Sequence, residues 1–160
     1  MIRVAILIIS DSSASGKRED ASGPALRTRC EELKWEIVAE RIVADELQAI
    51  TDQLTVWADD KVASLILTTG GTGVSARDVT PEATKRVLER EILGLGELMR
   101  AKGLQQTKFA VLSRALAGTR NASLIVNLPG SPRGAVHSLY AIEELIPHVI
   151  ELLQGRTEHC

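Results

Sequence analysis

Aromatic side chains are scarce in this chain of 160 residues: Trp35, Trp57, Phe109 and Tyr140 are all it has. Stacking platforms for bases are correspondingly few. Excess charge of either sign is missing as well, since 19 Lys and Arg stand against 21 Asp and Glu, for a formal net charge of −2. Without a basic surface or aromatic platforms, nucleic acid is not an expected partner. Long hydrophobic runs are also absent. Stretches such as Val4 to Ile9 and Leu124 to Val126 fall far below the roughly eighteen residues a membrane span needs, so no contact with a membrane is expected. Met1 leads almost at once into a strand-like run, with no cationic lead, apolar segment and cleavage site of the secretory kind. A cytoplasmic location is the expectation. Cysteine is limited to Cys30 and Cys160, which make no disulfide framework. Cys30 reads as core or helix surface, and Cys160 as a loose end beside His159.

What is present is an apolar share of 44%, built from Leu, Ile, Val and Ala. That composition suits strands buried on both faces beneath helices, and the length suits one domain over residues 1–160. Arg3 to Ser10 is a β-branched strand run. The polar segment from Asp11 to Gly23 reads as a long loop, and a helix from Pro24 to Lys34 follows. Glu36 to Val43 reads as a second strand. Asp45 and Glu46 open a helix carrying Leu47, Ile50, Leu54 and Trp57. Ser64 to Thr69 is a short buried strand broken by Gly70. Thr80 as N-cap, Pro81 at the first helical position and Glu82 in the first turn then start a helix to about Arg90. A short helix is expected over Gly94 to Lys102, short strands over Phe109 to Leu112 and Ser123 to Leu128, and a last helix after Pro132 that kinks or restarts near Pro147. Repeated alternation of strand and helix predicts an α/β fold, a three-layer α/β/α sandwich with a mostly parallel central sheet.

In such sheets ligands bind in loops beyond the carboxyl ends of the strands. Thr68-Thr69-Gly70-Gly71-Thr72-Gly73 concentrates glycine and threonine where backbone N–H groups can converge on an anion. A tight turn needing glycine for steric reasons is the blander reading. No lysine follows at the P-loop position, and Gly71 to Ala76 meets the Gly-x-Gly-x-x-Gly/Ala pattern only after the third strand, which makes a dinucleotide site a weak reading. Asp45 and Asp78 can meet at one rim of the sheet, where carboxylates beside a phosphate loop suit Mg²⁺; equally, each can simply cap a helix. Asn127 ends a strand before Pro129-Gly130-Ser131-Pro132 and offers a donor and an acceptor to a heterocycle or to its own turn. Ser113-Arg114 carries the same ambiguity. Lys17-Arg18-Glu19-Asp20 reads as a solvated charge run or as a cation placed to reach nucleotide phosphates. His137 and His148 form neither a zinc spacing nor a triad.

The block from Thr68 to Gly73, continued by Arg77-Asp78-Val79-Thr80-Pro81-Glu82-Ala83-Thr84, resembles the signature of the molybdopterin adenylyltransferase family, which includes the G domain of gephyrin. The similarity extends to Ile9-Ser10-Asp11, Val43-Ala44-Asp45-Glu46, Leu112-Ser113-Arg114, Gly118-Thr119-Arg120 and Asn127 to Pro132, which is nearly the whole chain. The resemblance implies molybdenum cofactor biosynthesis by a homotrimer that binds molybdopterin and Mg-ATP, makes adenylylated molybdopterin with release of pyrophosphate, and hands the product to a metal-insertion protein. It implies Asp45 and Asp78 as the essential carboxylates and Mg²⁺ ligands. Thr72, Ser113, Asn127, Pro129 and Gly130 would then lie at the pterin-phosphate site, Gly70, Gly71 and Gly73 would supply its backbone, and Ser10 and Asp11 would border the nucleotide. A non-catalytic pterin-binding or scaffolding member of the same family is the alternative.

Overall fold

The computed structural model describes residues 1–156; the expectations for His159 and Cys160 lie outside the described residues. Strands β1 (Arg3–Ile9), β2 (Glu36–Val43), β3 (Leu65–Thr69), β4 (Arg90–Glu91), β5 (Ala117–Arg120) and β6 (Ser123–Leu128) form a six-stranded sheet in the order β2-β1-β3-β6-β5-β4. β2, β1, β3 and β6 run parallel, while β5 and β4 are added antiparallel at one edge. Side-chain alternation along the strands divides the core in two. Val4, Ile6 and Ile8 of β1, with Leu124, Val126 and Leu128 of β6, face one layer of helices: α2 (Ser22–Glu32), α5 (Leu93–Gly103), α6 (Pro132–Ile142) and α7 (Ile146–Leu153). Ala5, Leu7 and Ile9, with Ile66 and Ile125, face α3 (Leu47–Asp59) and α4 (Thr80–Val87) on the other side. The expected three layers and mostly parallel sheet are what the chain forms. Cys30 is fully buried in the first of these cores, and burial pushes its thiol up to about 12.

The departures are local and have local causes. Asp11 to Gly23 is not all loop. Ser10 caps a single-turn helix, α1 (Asp11–Ala14), by accepting from the Ser13 N–H at 3.2 Å, and Asp20 opens α2 by accepting from the N–H groups of Ser22 and Gly23 at 3.1 and 2.9 Å. The helix expected to run to Arg90 ends at Val87, because Glu89 N–H donates to the Thr119 carbonyl and draws the chain into the sheet edge as β4. Thr80 does not cap α4; its hydroxyl donates back to the Gly70 carbonyl at 2.9 Å. Phe109 to Leu112 is no strand but part of a 3-10 helix over Lys108–Leu112, capped by Thr107. β5, which that reading missed, contains Ala and Gly and owes its extended form to pairing with β6. The last helix does restart, as α7, with Pro147 in its first turn.

Candidate functional site

β1 leads to β2 on one side and the chain then returns to lay β3 on the other, so the carboxyl ends of β1 and β3 diverge at a switch in strand order. Crevices for ligands open at such points. Here a cavity of about 410 Å³ is lined by Ile8 and Ile9 at the end of β1, Thr69 and Gly70 at the end of β3, and Asp45 beyond β2. A second cavity, of about 520 Å³, lies between α5 and α6 and is walled by Met99, Phe109, Leu112, Ser113, Ala115 and the turn at Pro129. Gly71, Asp78, Gly130 and Ser131 line both. Two ligands held in these cavities would meet across that shared wall.

The glycines of the wall are required by geometry. Gly70 has φ +103°, and a Cβ there would stand 2.1 Å from the Ile9 carbonyl oxygen; Gly71 has φ +67°, with a Cβ position 2.2 Å from the Thr80 hydroxyl and 3.1 Å from Asp45 Oδ1. Close packing of β3's terminus on β1 thus leaves Asp45 beside bare backbone. Arg114 clamps the rest of the loop. Its guanidinium donates to the Gly73 carbonyl at 2.7 Å and the Asp78 carbonyl at 2.6 Å, and pairs with Glu82, while its own N–H bonds the Thr72 carbonyl at 2.8 Å. Asp78 is held from the side-chain end as well, accepting from the Ser75 N–H at 2.9 Å.

Asp45 and Asp11 exchange hydrogen bonds. Asp11 N–H donates to Asp45 Oδ2 and Asp45 N–H donates to Asp11 Oδ1, each at 2.9 Å, and Arg77 forks onto both oxygens of Asp11 while reaching Glu46. The two carboxylates respond in opposite directions. Asp11 is held below the usual carboxylate range by the Arg77 fork, aided by the Asp45 N–H. Asp45 is raised, first by burial; the Asp11 N–H opposes this, and the charges of Asp11 and Asp78 add to it. Asp45 is therefore an electrostatically strained carboxylate on a cavity wall. That is a common signature of a working site.

A family model described as "Probable molybdopterin binding domain" matches residues 5–148. The chain belongs to that family. It is 41% identical over 156 residues to molybdopterin adenylyltransferase of Helicobacter pylori, covering 96% of this chain and 89% of the relative. The molybdopterin adenylyltransferase of Escherichia coli is 36% identical, covering 96% and 86%. Among solved structures, the molybdopterin biosynthesis enzyme MoaB of Thermus thermophilus superposes with a TM-score of 0.92 at 47% identity, covering 97% of this chain and 98% of that one.

Within this molybdopterin-binding fold, Ser10, Gly70, Gly71, Asp45, Asp78 and Gly130 come together on the first cavity. Thr72, Gly73, Ser113 and Pro129 line the second, with Gly71, Asp78 and Gly130 common to both. Two expected site residues stand apart. Asp11 lines neither cavity and touches the site through Asp45. Asn127 is fully buried. Strand alternation turns it, like Ile125, toward α4, and its amide donates to the hydroxyls of Thr68 and Thr84 at 3.0 and 2.9 Å. It is placed to lock β6, β3 and α4 together rather than to meet a ring edge. Arg100 and His137 line the second cavity without having been marked as site residues in the sequence. Arg100 and His137 lie inside helices with no local motif, and only the packing of α5 beside α6 brings them to one cavity.

Proposed function

We propose that the chain transfers the adenylyl group of ATP to the terminal phosphate of molybdopterin, releasing pyrophosphate, as one step of molybdenum cofactor biosynthesis. The observation carrying this reading is the pair of cavities that share Asp78 and the glycine wall, since a bimolecular phosphoryl-type transfer needs two ligands to meet in line at one point. The relatives named molybdopterin adenylyltransferase support it over nearly the full length. The nucleotide takes the first cavity and the pterin the second, whose Phe109, Leu112 and Met99 suit a flat ring while Ser113 and Thr72 suit its phosphate.

A phosphate oxygen of molybdopterin attacks the α-phosphorus, forming the new P–O bond as the bond to the bridging oxygen of pyrophosphate breaks. The nucleophile is already ionised near neutral pH, so the protein has little proton transfer to perform. Its work is alignment: Arg114 and the Ser75 N–H fix the loop that carries Asp78, and Asp11 fixes Asp45.

The donor set fits Mg²⁺. The first cavity presents Asp45 and Asp78, and among the described residues no group of three or more His, Cys, Asp and Glu side chains could by itself hold a metal. An ion bound by hard oxygens from one or two carboxylates, completed by phosphate oxygens and water, matches such a site. Asp45 and Asp78 would hold it, and it would neutralise charge on the phosphates against walls that are themselves acidic.

We assign the residues to a single domain and the protein to the cytoplasm; no helix among the described residues is long and apolar enough to cross a membrane. A homotrimer is proposed as well, as the resemblance implies, and the apolar side chains of Leu93, Leu104 and Val111, which are 64, 52 and 55% exposed and line neither cavity, are available to an interface. The product would pass to a metal-insertion protein.

The test is incubation of the pure protein with molybdopterin and Mg-ATP, followed by chromatography for adenylylated pterin and an assay for pyrophosphate. Equimolar formation of both is expected. Tight molybdopterin binding with neither product would overturn the transferase reading and leave a non-catalytic binding protein.

A further inference from the structure

The guanidiniums around the site are almost all committed to the protein. Arg77 spends its donors on Asp11 and Glu46, Arg114 on two carbonyls and Glu82, and Arg100 on the carbonyl of Ala115 at 2.8 Å. Arg18 differs. It lines the first cavity, its backbone N–H is tied to the Ser12 carbonyl at 3.2 Å, and its guanidinium takes no hydrogen bond or ion pair among the described residues. Among the described residues it is also the only Lys or Arg on the wall of that cavity, which it shares with Glu19, Asp20, Asp45 and Asp78. Asp20 is no free partner, because both its oxygens accept from the first turn of α2.

Position adds direction. Arg18 lines only the first cavity, as do Glu19, Asp20 and Ser22, whereas Asp78 and the glycine wall border both. In an in-line transfer the leaving group departs opposite the nucleophile. A nucleophile entering from the second cavity across the shared wall therefore drives the leaving group toward the part of the first cavity that the second does not share. That is where Arg18 stands.

We infer that Arg18 is the ligand of the β- and γ-phosphates of ATP, distinguishing the triphosphate from the monophosphate and holding pyrophosphate as it leaves. The inference rests on the placement of the nucleotide in the first cavity. A guanidinium with its whole fork of N–H donors uncommitted suits bidentate binding of phosphate oxygens, which an ammonium reproduces only as a point charge. The single-turn helix α1 and the cap at Asp20 are what bring the intervening loop, and Arg18 with it, to the cavity.

Isothermal titration of the parent protein, Arg18→Gln and Arg18→Lys with Mg-ATP and with Mg-AMP tests this. Arg18→Gln should weaken Mg-ATP about tenfold and Mg-AMP less than about twofold, with Arg18→Lys recovering part of the loss. Equal weakening of both nucleotides, or of neither, overturns the assignment of Arg18 while leaving the nucleotide site intact. A parent protein that binds neither nucleotide overturns the placement of ATP and the role of Arg18 together.

Discussion

The two cavities are built from different materials. The first sits on strand ends and is ringed by carboxylates: among the described residues, Glu19, Asp20, Asp45 and Asp78 stand against Arg18 alone. The second sits between helices and is walled by Met99, Phe109, Leu112 and Ala115, with Arg100 as a balancing charge to Asp78. An acidic cavity repels a bare polyphosphate, so it accepts one only together with a divalent cation. An apolar cleft accepts a flat heterocycle without such help. On the proposed transfer reaction the contrast divides the labour between two substrates, and the residues common to both cavities are where the two would meet.

The division breaks most sharply at the shared wall. Asp78→Asn keeps the size of the side chain and an acceptor for the Ser75 N–H, yet removes one of the two anionic oxygen donors. Adenylyl transfer should fall by about 10²- to 10³-fold with molybdopterin binding spared, judged by product formation and by direct titration. Product formation equal to that of the parent would leave the shared wall without a catalytic role.

Asp45→Asn should separate function from stability. Burial and neighbouring carboxylates raise this carboxyl in the folded state, so folding is favoured while the group is protonated and that contribution is lost as pH rises through the raised folded value. At neutral pH the neutral amide should therefore raise the melting temperature while transfer drops about 10²-fold. The gain should vanish in acid, where the parent's carboxyl is itself protonated. A lower melting temperature at neutral pH would contradict the strain assigned to Asp45.

The smallest expected effect on ligands is the sharpest boundary of the second cavity. Asn127→Ala removes the amide that joins β6 to Thr68 and Thr84, at a cost of about 1–3 kcal/mol in stability. Denaturant unfolding should register that cost, while affinity for molybdopterin stays within about twofold of the parent. A large loss of molybdopterin affinity with unchanged stability would return Asn127 to the pterin site.

Much of the fold was readable along the chain because it is written in local patterns. The β-branched runs of β1, β3 and β6, the Pro81 helix start and the glycine cluster carry their own signals. Phe109 to Leu112 shows the limit: four apolar residues fit a strand or a turn of helix equally well, and only the surroundings decide. β5 shows the converse, a segment of Ala, Gly, Thr and Arg with weak strand preference that becomes extended because β6 offers it a ladder. For the site, the loops carrying Asp45, Asp78 and the glycines were marked by residue type and spacing. Arg100 and His137 were not, lying inside ordinary helical stretches.

By itself the sequence determined the three layers, the mostly parallel sheet and the positions of a glycine turn and two acidic loops at strand ends, because hydrophobic period and backbone conformational limits act over a few residues. Tertiary structure alone decided which face of β6 Asn127 would occupy, that Asp45 would be half-buried beside Asp11, and that two cavities would share one wall. Those outcomes depend on elements distant in the chain packing against one another, and no local pattern encodes which partner a side chain will meet.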